Sequence, residues 1–254
     1  MFVDSTYFAD TWMLAKLLRC VPQVANLRAP GGTVGIKTLA QLQQLRRIRW
    51  ANFSIFGCRS SAPIHLPQLQ RLDTYNCQVE DSARQFLTPA VLPLLRHVDT
   101  DDLDIVAPLV RHLEIINCES DNVDYTILAR AESLLLLPLP SYADERLDML
   151  SKLPSLPPFL HVNIDQYFSR DHQEETAAAM EALLGTRKLG LRVILLNDYE
   201  VGASIKSLIQ RFEERGVRVQ LVDEELDFEG AIVEMEKIRA EEKRAAEAAA
   251  LRGK

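Results

Sequence analysis

The chain has 254 residues, 47% hydrophobic and 26% charged, a balance ordinary for a globular protein and long enough to bury a large core. Its net charge of −7 excludes general nucleic-acid binding, which needs a basic surface to displace counterions. Cys20, Cys58, Cys77 and Cys118 are far apart with no C-x-x-C pair, which excludes a zinc site or compact disulfide framework and fits reduced thiols in the cytoplasm or nucleus.

Taken along the chain, helix-like and strand-like stretches alternate. "MFVDSTYFAD" carries acidic residues where a signal peptide needs a basic end and an apolar core. "TWMLAKLL" (11–18), "IKTLAQLQQL" (36–45), "DSARQFLTPAVL" (81–92), "DYTILARA" (124–131) and "ADERLDMLSKL" (143–153) place apolar residues three or four apart, as one-sided helices do. Between them lie short apolar stretches that read as strands. The longest unbroken apolar run, "LLLLPLP" (134–140), is too short to span a bilayer, so no membrane partner is expected. After about residue 165 the character changes. "QEETAAAMEALLG" (173–185) is a helix ending at glycine, "LRVILLND" (191–198) a buried strand, "VGASIKSLIQRFEERG" (201–216) a helix with a glycine stop, and "VRVQLVDEE" (217–225) an alternating strand. From Glu229 onward the mixture of Ala, Glu, Lys and Arg predicts a charged terminal helix.

The strand-like stretches repeat one shape, most plainly in "PQLQRLDTYNC" (67–77) and "PLVRHLEIINC" (108–118). The pattern L-x-x-L-x-L-x-x-(N/C)-x-L fits seven times, with first positions at Val24, Leu45, Leu69, Leu95, Val110, Ala131 and Leu156. The successive spacings are 21, 24, 26, 15, 21 and 25. All but one fall in the roughly 20–29 residues of a leucine-rich repeat. The chain therefore resembles the leucine-rich-repeat family, most of all the irregular repeats of fungal F-box-type proteins. The resemblance covers residues 12–165 by motif and, more weakly, 166–223.

The resemblance implies an α/β solenoid over 1–223, with a parallel sheet on its concave face, helices and irregular returns outside, and a helical tail over 224–254. It places Cys77 and Cys118 inside the turns that follow their strands, as small buried structural residues. The 15-residue spacing before Val110 leaves no room for a helix, so a tight turn is expected there.

Several stretches imitate catalytic motifs without meeting their requirements. "GGTVGIKT" (31–38) lacks the Gly-Lys-Ser/Thr succession of a phosphate-binding loop, because Ile36 separates Gly35 from Lys37. Asp99, Asp101, Asp102 and Asp104 read as a solvated strand face rather than a metal site. His97 and His112 recur at one repeat position and read as surface features. No nucleophile or carboxylate pair stands out, so no enzyme, cofactor or metal is expected.

Function is then expected on the outward face of the sheet. Three columns of residues would stack there: Arg28, Arg49, Asp73, Asp99, Glu114 and Leu135; Arg47, Arg71, His97 and His112; and Tyr75, Asp101, Ile116 and Leu137. Such a face runs from basic through acidic to apolar and suits another protein as partner. The family resemblance implies the substrate-recognition part of an F-box-type ubiquitin ligase receptor. No F-box pattern opens residues 1–20, so that role expects coding sequence upstream of Met1, and only then a Skp-type adaptor as partner. The alternative is a free-standing repeat scaffold.

Overall fold

A computed structural model of the chain describes residues 2–4, 16, 18–29, 32–51, 53–56, 65–79, 87–118, 125–139, 156–162, 178, 180–182, 191–197, 203–222, 226 and 228–252. The chain falls into two compact units, Met1–Leu134 and Leu135–Lys254.

The strands of the first unit, in chain order, are β1 (Phe2–Asp4), β2 (Asn26–Ala29), β3 (Gly32–Gly35), β4 (Arg47–Ala51), β5 (Phe53–Phe56), β6 (Arg71–Tyr75), β7 (Gln78–Val79), β8 (His97–Thr100) and β9 (Ile115–Cys118). β1, β2, β4, β6, β8 and β9 form a parallel sheet in that order. Strands β3, β5 and β7 form a smaller parallel sheet. Strands β4, β6, β8 and β9 begin with the same backbone arrangement. Ala25 O accepts from the amides of Arg46 and Arg47, Arg46 O from Gln70 and Arg71, Gln70 O from Arg96 and His97, and Arg96 O from Glu114 and Ile115.

Side chains alternate across the pleat, so residues two apart share a face. Leu27, Ile48, Leu72, Val98 and Ile116 stand level on adjacent strands and are all buried. Each such side chain stabilises the fold by about 1.5–3 kcal/mol. Ala29, Thr74, Thr100 and Cys118 make a second buried row. Its hydroxyls are satisfied. Thr74 Oγ1 donates to Thr100 Oγ1 at 2.9 Å, while Thr100 Oγ1 donates to Asp102 O and accepts from Asp102 N, both at 3.1 Å.

The buried positions Val24, Leu45, Leu69 and Leu95, one residue before the equivalent carbonyls, are the first repeat positions that the spacing predicts. The fifth position is Leu113, not Val110. The expected match set Leu113 level with Val98, but Val98 pairs with Ile116, a shift of three residues. Val110, Leu113 and Ile116 are spaced by three and all buried, so the leucine pattern fits at either register. Two expectations fall with that shift. Cys118 ends β9 opposite Thr100, whereas Cys77 follows β6 in a turn, so the two Asn-Cys pairs are not equivalent. The return before β9 is also no tight turn. It holds helix α2 (Leu103–Val106), preceded in the chain by α1 (Ile36–Leu39), and then a 3-10 turn at Val110–His112. Asp102 caps α2 by accepting from Asp104 N at 2.9 Å.

Of "GGTVGIKT" (31–38), residues 32–38 are among those described. Gly32–Gly35 is strand β3, with Thr33 opposite Ser54, and Ile36–Leu39 is helix α1. Glycines paired in a sheet do not form the loop of inward-pointing amides that cradles phosphate.

In the second unit, β10 (Leu136–Leu139), β11 (Phe159–Val162), β12 (Val193–Asn197) and β13 (Arg218–Val222) form a parallel sheet in sequence order. All four residues of β11 are buried, as are Val193, Ile194, Leu195 and Leu196 of β12, so these strands are covered on both faces. Helix α3 (Ala203–Glu214) packs on β13, and the C-terminal helix α4 (Phe228–Arg252) packs on β10. Phe212 O accepts from Val217 N at 3.0 Å and Glu213 O from Gly216 N at 2.9 Å; with Gly216 at φ 80°, this is the left-handed stop that the sequence predicts for α3. Helix α4 buries Ala231, Ile232, Met235 and Ile238, and residues 239–251 are exposed. Arg192 lies 5.6 Å from the centre of the Phe159 ring and pairs with Glu242 at 3.1 Å, tying α4 to β11.

The chain is thus an α/β protein whose principal sheets are parallel and follow sequence order, with a long helix at its C-terminus.

Candidate protein-binding face

The outward face of the first unit's main sheet carries two rows of polar side chains. Asn26, Arg47, Arg71 and His97 stand level, followed by Ile115. Two residues further along each strand, Arg28, Arg49, Asp73, Asp99 and Asn117 stand level. Adjacent strands lie about 4.8 Å apart, so each side chain lies within reach of its lateral neighbours.

Asp73 is the anchor of this face. It is only 4% exposed, and both carboxylate oxygens are used. Arg71 Nε donates to Oδ1 at 2.7 Å; Arg47 donates to Oδ2 from Nη2 at 2.9 Å and from Nε at 3.3 Å. Removing charges from water is offset only when such bonds are made, and here two guanidiniums converge on one carboxylate. Beyond it, Asp99 Oδ1 accepts from Asn117 Nδ2 at 3.0 Å, extending the polar row to β9. Asn117 is a residue of this face that the expected register missed, because the three-residue shift put Glu114 in its place.

Arg49 differs from its neighbours. It is exposed, stands level with Arg28 on β2 and Asp73 on β6, and its side chain makes no hydrogen bond or ion pair among the described residues. Two residues on, Ala51 stands opposite Tyr75, which is 58% exposed. Arg28, Arg49 and Tyr75 are therefore the accessible part of the expected site. Arg47, His97 and Asp99 are half-buried, and Arg71 and Asp73 are buried.

The remaining expected residues do not join them as foreseen. Asp101 lies past the end of β8, where its Oδ2 accepts from Asn76 N at 2.6 Å. His112 is exposed on the 3-10 turn, not level with His97. Glu114 precedes β9 and lies 3.5 Å from Arg96. Ile116 belongs to the buried row, because alternation counted in the correct register sends it inward. Leu135 is half-buried and Leu137 is buried in the second unit. "LLLLPL" is a continuous apolar run, the mark of a strand covered on both faces, and the outward apolar patch expected there is absent from these residues. Three of the four acids of 99–104 are engaged separately, Asp99 with Asn117, Asp101 with Asn76 and Asp102 as a helix cap, and Asp104 is exposed on α2.

A cavity of about 460 Å³ opens between the Val110–His112 turn and a second 3-10 segment, Tyr125–Arg130; Ala107, Ala129, Arg130 and the ion pair of Arg111 Nε with Glu132 Oε1 at 2.7 Å line it. Among the described residues, no group of three or more His, Cys, Asp or Glu side chains is placed to hold a metal ion, and no helix is long and apolar enough to cross a membrane. Chemically, the sheet face offers charge-assisted hydrogen bonding from a rigid platform, with an aromatic ring beside it. Neither a scan against protein-family models nor a search of curated proteins finds a match to this chain.

Proposed function

We propose that the chain is a protein-interaction module, a solenoid of the leucine-rich-repeat type that binds its partner through the outward face of the first sheet. The observation that carries this reading is the division of labour on that face. Asp73 fixes Arg47 and Arg71 into the platform, while Arg49 and Tyr75 stay exposed beside it. Arg and Tyr are among the side chains that dominate binding energy at protein interfaces. The solenoid reading is supported by the level buried row Leu27, Ile48, Leu72, Val98 and Ile116, which recurs at intervals of 21, 24, 26 and 18 residues.

Within this reading the chain is the substrate-recognition part of an F-box-type ubiquitin ligase receptor, a role that rests on the resemblance of the repeats. The alternative role is a free-standing scaffold. The face is tested by placing a photo-crosslinking amino acid at position 75 in cells, with position 206 on exposed α3 as control. The expected result is a discrete adduct at 75 that disappears when Arg28→Glu and Arg49→Glu are added. An adduct indifferent to both changes removes the face from the site. Co-purification of a Skp-type adaptor with the natural full-length product separates the ligase role from the scaffold.

A further inference from the structure

We infer that the corner formed by Arg49, Ala51 and Tyr75 recognises an acidic protein segment. One side-chain carboxylate of the partner takes the Arg49 guanidinium, and an adjoining apolar side chain lies over Ala51 against the Tyr75 ring. This rests on the reading of the sheet face as a partner-binding surface and names the partner's chemistry.

Three observations carry it. The first is the unequal engagement of the cations. Asp73, the carboxylate level with Arg49, has both oxygens taken by Arg47 and Arg71, and Arg49 has no partner among the described residues. A guanidinium beside a saturated carboxylate keeps its paired N–H donors for an incoming one, the geometry that Arg and carboxylate share. On its other side Arg49 is level with Arg28, another cation, so no carboxylate stands directly beside it on β2.

The second is shape. Ala51 follows Arg49 by two residues on the same face, and Tyr75 stands opposite Ala51. A short side chain between a long cation and an exposed ring leaves a recess with one charged wall and one aromatic wall. The ligand that fills it carries an acid next to an apolar group.

The third is the narrowness of the cationic row. Arg28 and Arg49 span one inter-strand step of about 4.8 Å. Acidic positions bracket them: Asp4 is level with Arg28 on β1, and Asp73 and Asp99 follow on β6 and β8. A nucleic-acid backbone, with its continuous line of phosphates, would run onto those acids, and the chain's net charge of −7 opposes it further. One carboxylate, at Arg49, fits the interval. An acidic segment of another protein is the occupant that the charge pattern favours.

The test is selection from a random twelve-residue peptide library on the immobilised full chain, followed by fluorescence anisotropy of the selected peptides. Enrichment of Asp or Glu next to Leu, Ile or an aromatic residue is expected. Arg49→Gln and Tyr75→Ala should each weaken these peptides about tenfold, with Arg239→Glu on exposed α4 changing binding less than about twofold. Acidic peptides indifferent to Arg49→Gln overturn the inference, as does the absence of any peptide enriched above an Arg49→Glu bait. A phosphorylated analogue that binds about tenfold tighter than its carboxylate counterpart also overturns it, assigning the corner to phosphate. Neutral or basic peptides that still lose binding on Tyr75→Ala overturn the acidic partner and leave the face as the binding surface. Peptides indifferent to every substitution on the face remove that reading as well.

Discussion

Thr100 and Asp73 show how single polar atoms govern this sheet. The Thr100 hydroxyl makes three hydrogen bonds inside a buried row, whereas the Thr74 hydroxyl is donor in one of them. Thr100→Val strands the Thr74 donor and the Asp102 amide, at a cost of about 2–3 kcal/mol. Thr74→Val removes only a donor, and about 1 kcal/mol is expected. Denaturant titration of the two variants should therefore rank Thr100→Val well below Thr74→Val. Asp73→Ala takes the shared carboxylate from two guanidiniums, one of them buried, and about 2–4 kcal/mol of stability should go with it. Arg49→Ala, at an exposed position with no described partner, should leave the same titration unchanged within about 0.5 kcal/mol. This contrast was not legible in the sequence. Arg47 and Arg49 read there as equals, two apart on one face. Register sets Asp73 level with Arg49, and only the side-chain placement shows its carboxylate taken diagonally by Arg47, which leaves Arg49 available.

At the scale of elements, legibility followed the length of the pattern. Four first positions, the stop after α3 and the terminal helix each rest on several consistent residues, and the structure places them where the spacing predicts. The fifth strand was shifted by three because Val110, Leu113 and Ile116 satisfy the same rule twice. The small sheet of β3, β5 and β7 went unseen, since strands of two to four residues are too short for alternation to register. Gly216 marks a position where conformation alone matters. An added methyl would meet no atom within 4 Å, so Gly216→Ala should cost only the left-handed penalty of about 1 kcal/mol. Helix α4 offers the opposite test. Ile238 is buried, and Ile238→Ala should lower stability by about 2–4 kcal/mol. Deleting residues 243–254, all beyond the buried stripe, should cost under about 1 kcal/mol, with denaturant titration checking both changes.

For the molecule as a whole, the ordering of the strands sets the pattern of stability. In each unit a strand pairs with the strands before and after it in the sheet, so protection is passed from neighbour to neighbour. Amide exchange should be slowest in β6 and β8 of the first unit and quicken toward β1. In the second it should be slowest in β11 and β12 and faster in β13. Equal protection across β1, β2, β4 and β6 would show instead that the sheet opens in one step. The same arrangement bears on how such a face can change. Residues 45–68 run from one first position to the next and carry β4, with both Arg47 and Arg49, and β5 of the small sheet. Copying that block once would add a strand to each sheet, about 4.8 Å wide, and two more cations to the outward face, with no further Asp73 to hold them. A surface built this way gains new binding capacity by duplication of a segment, before any of its existing contacts has to be altered.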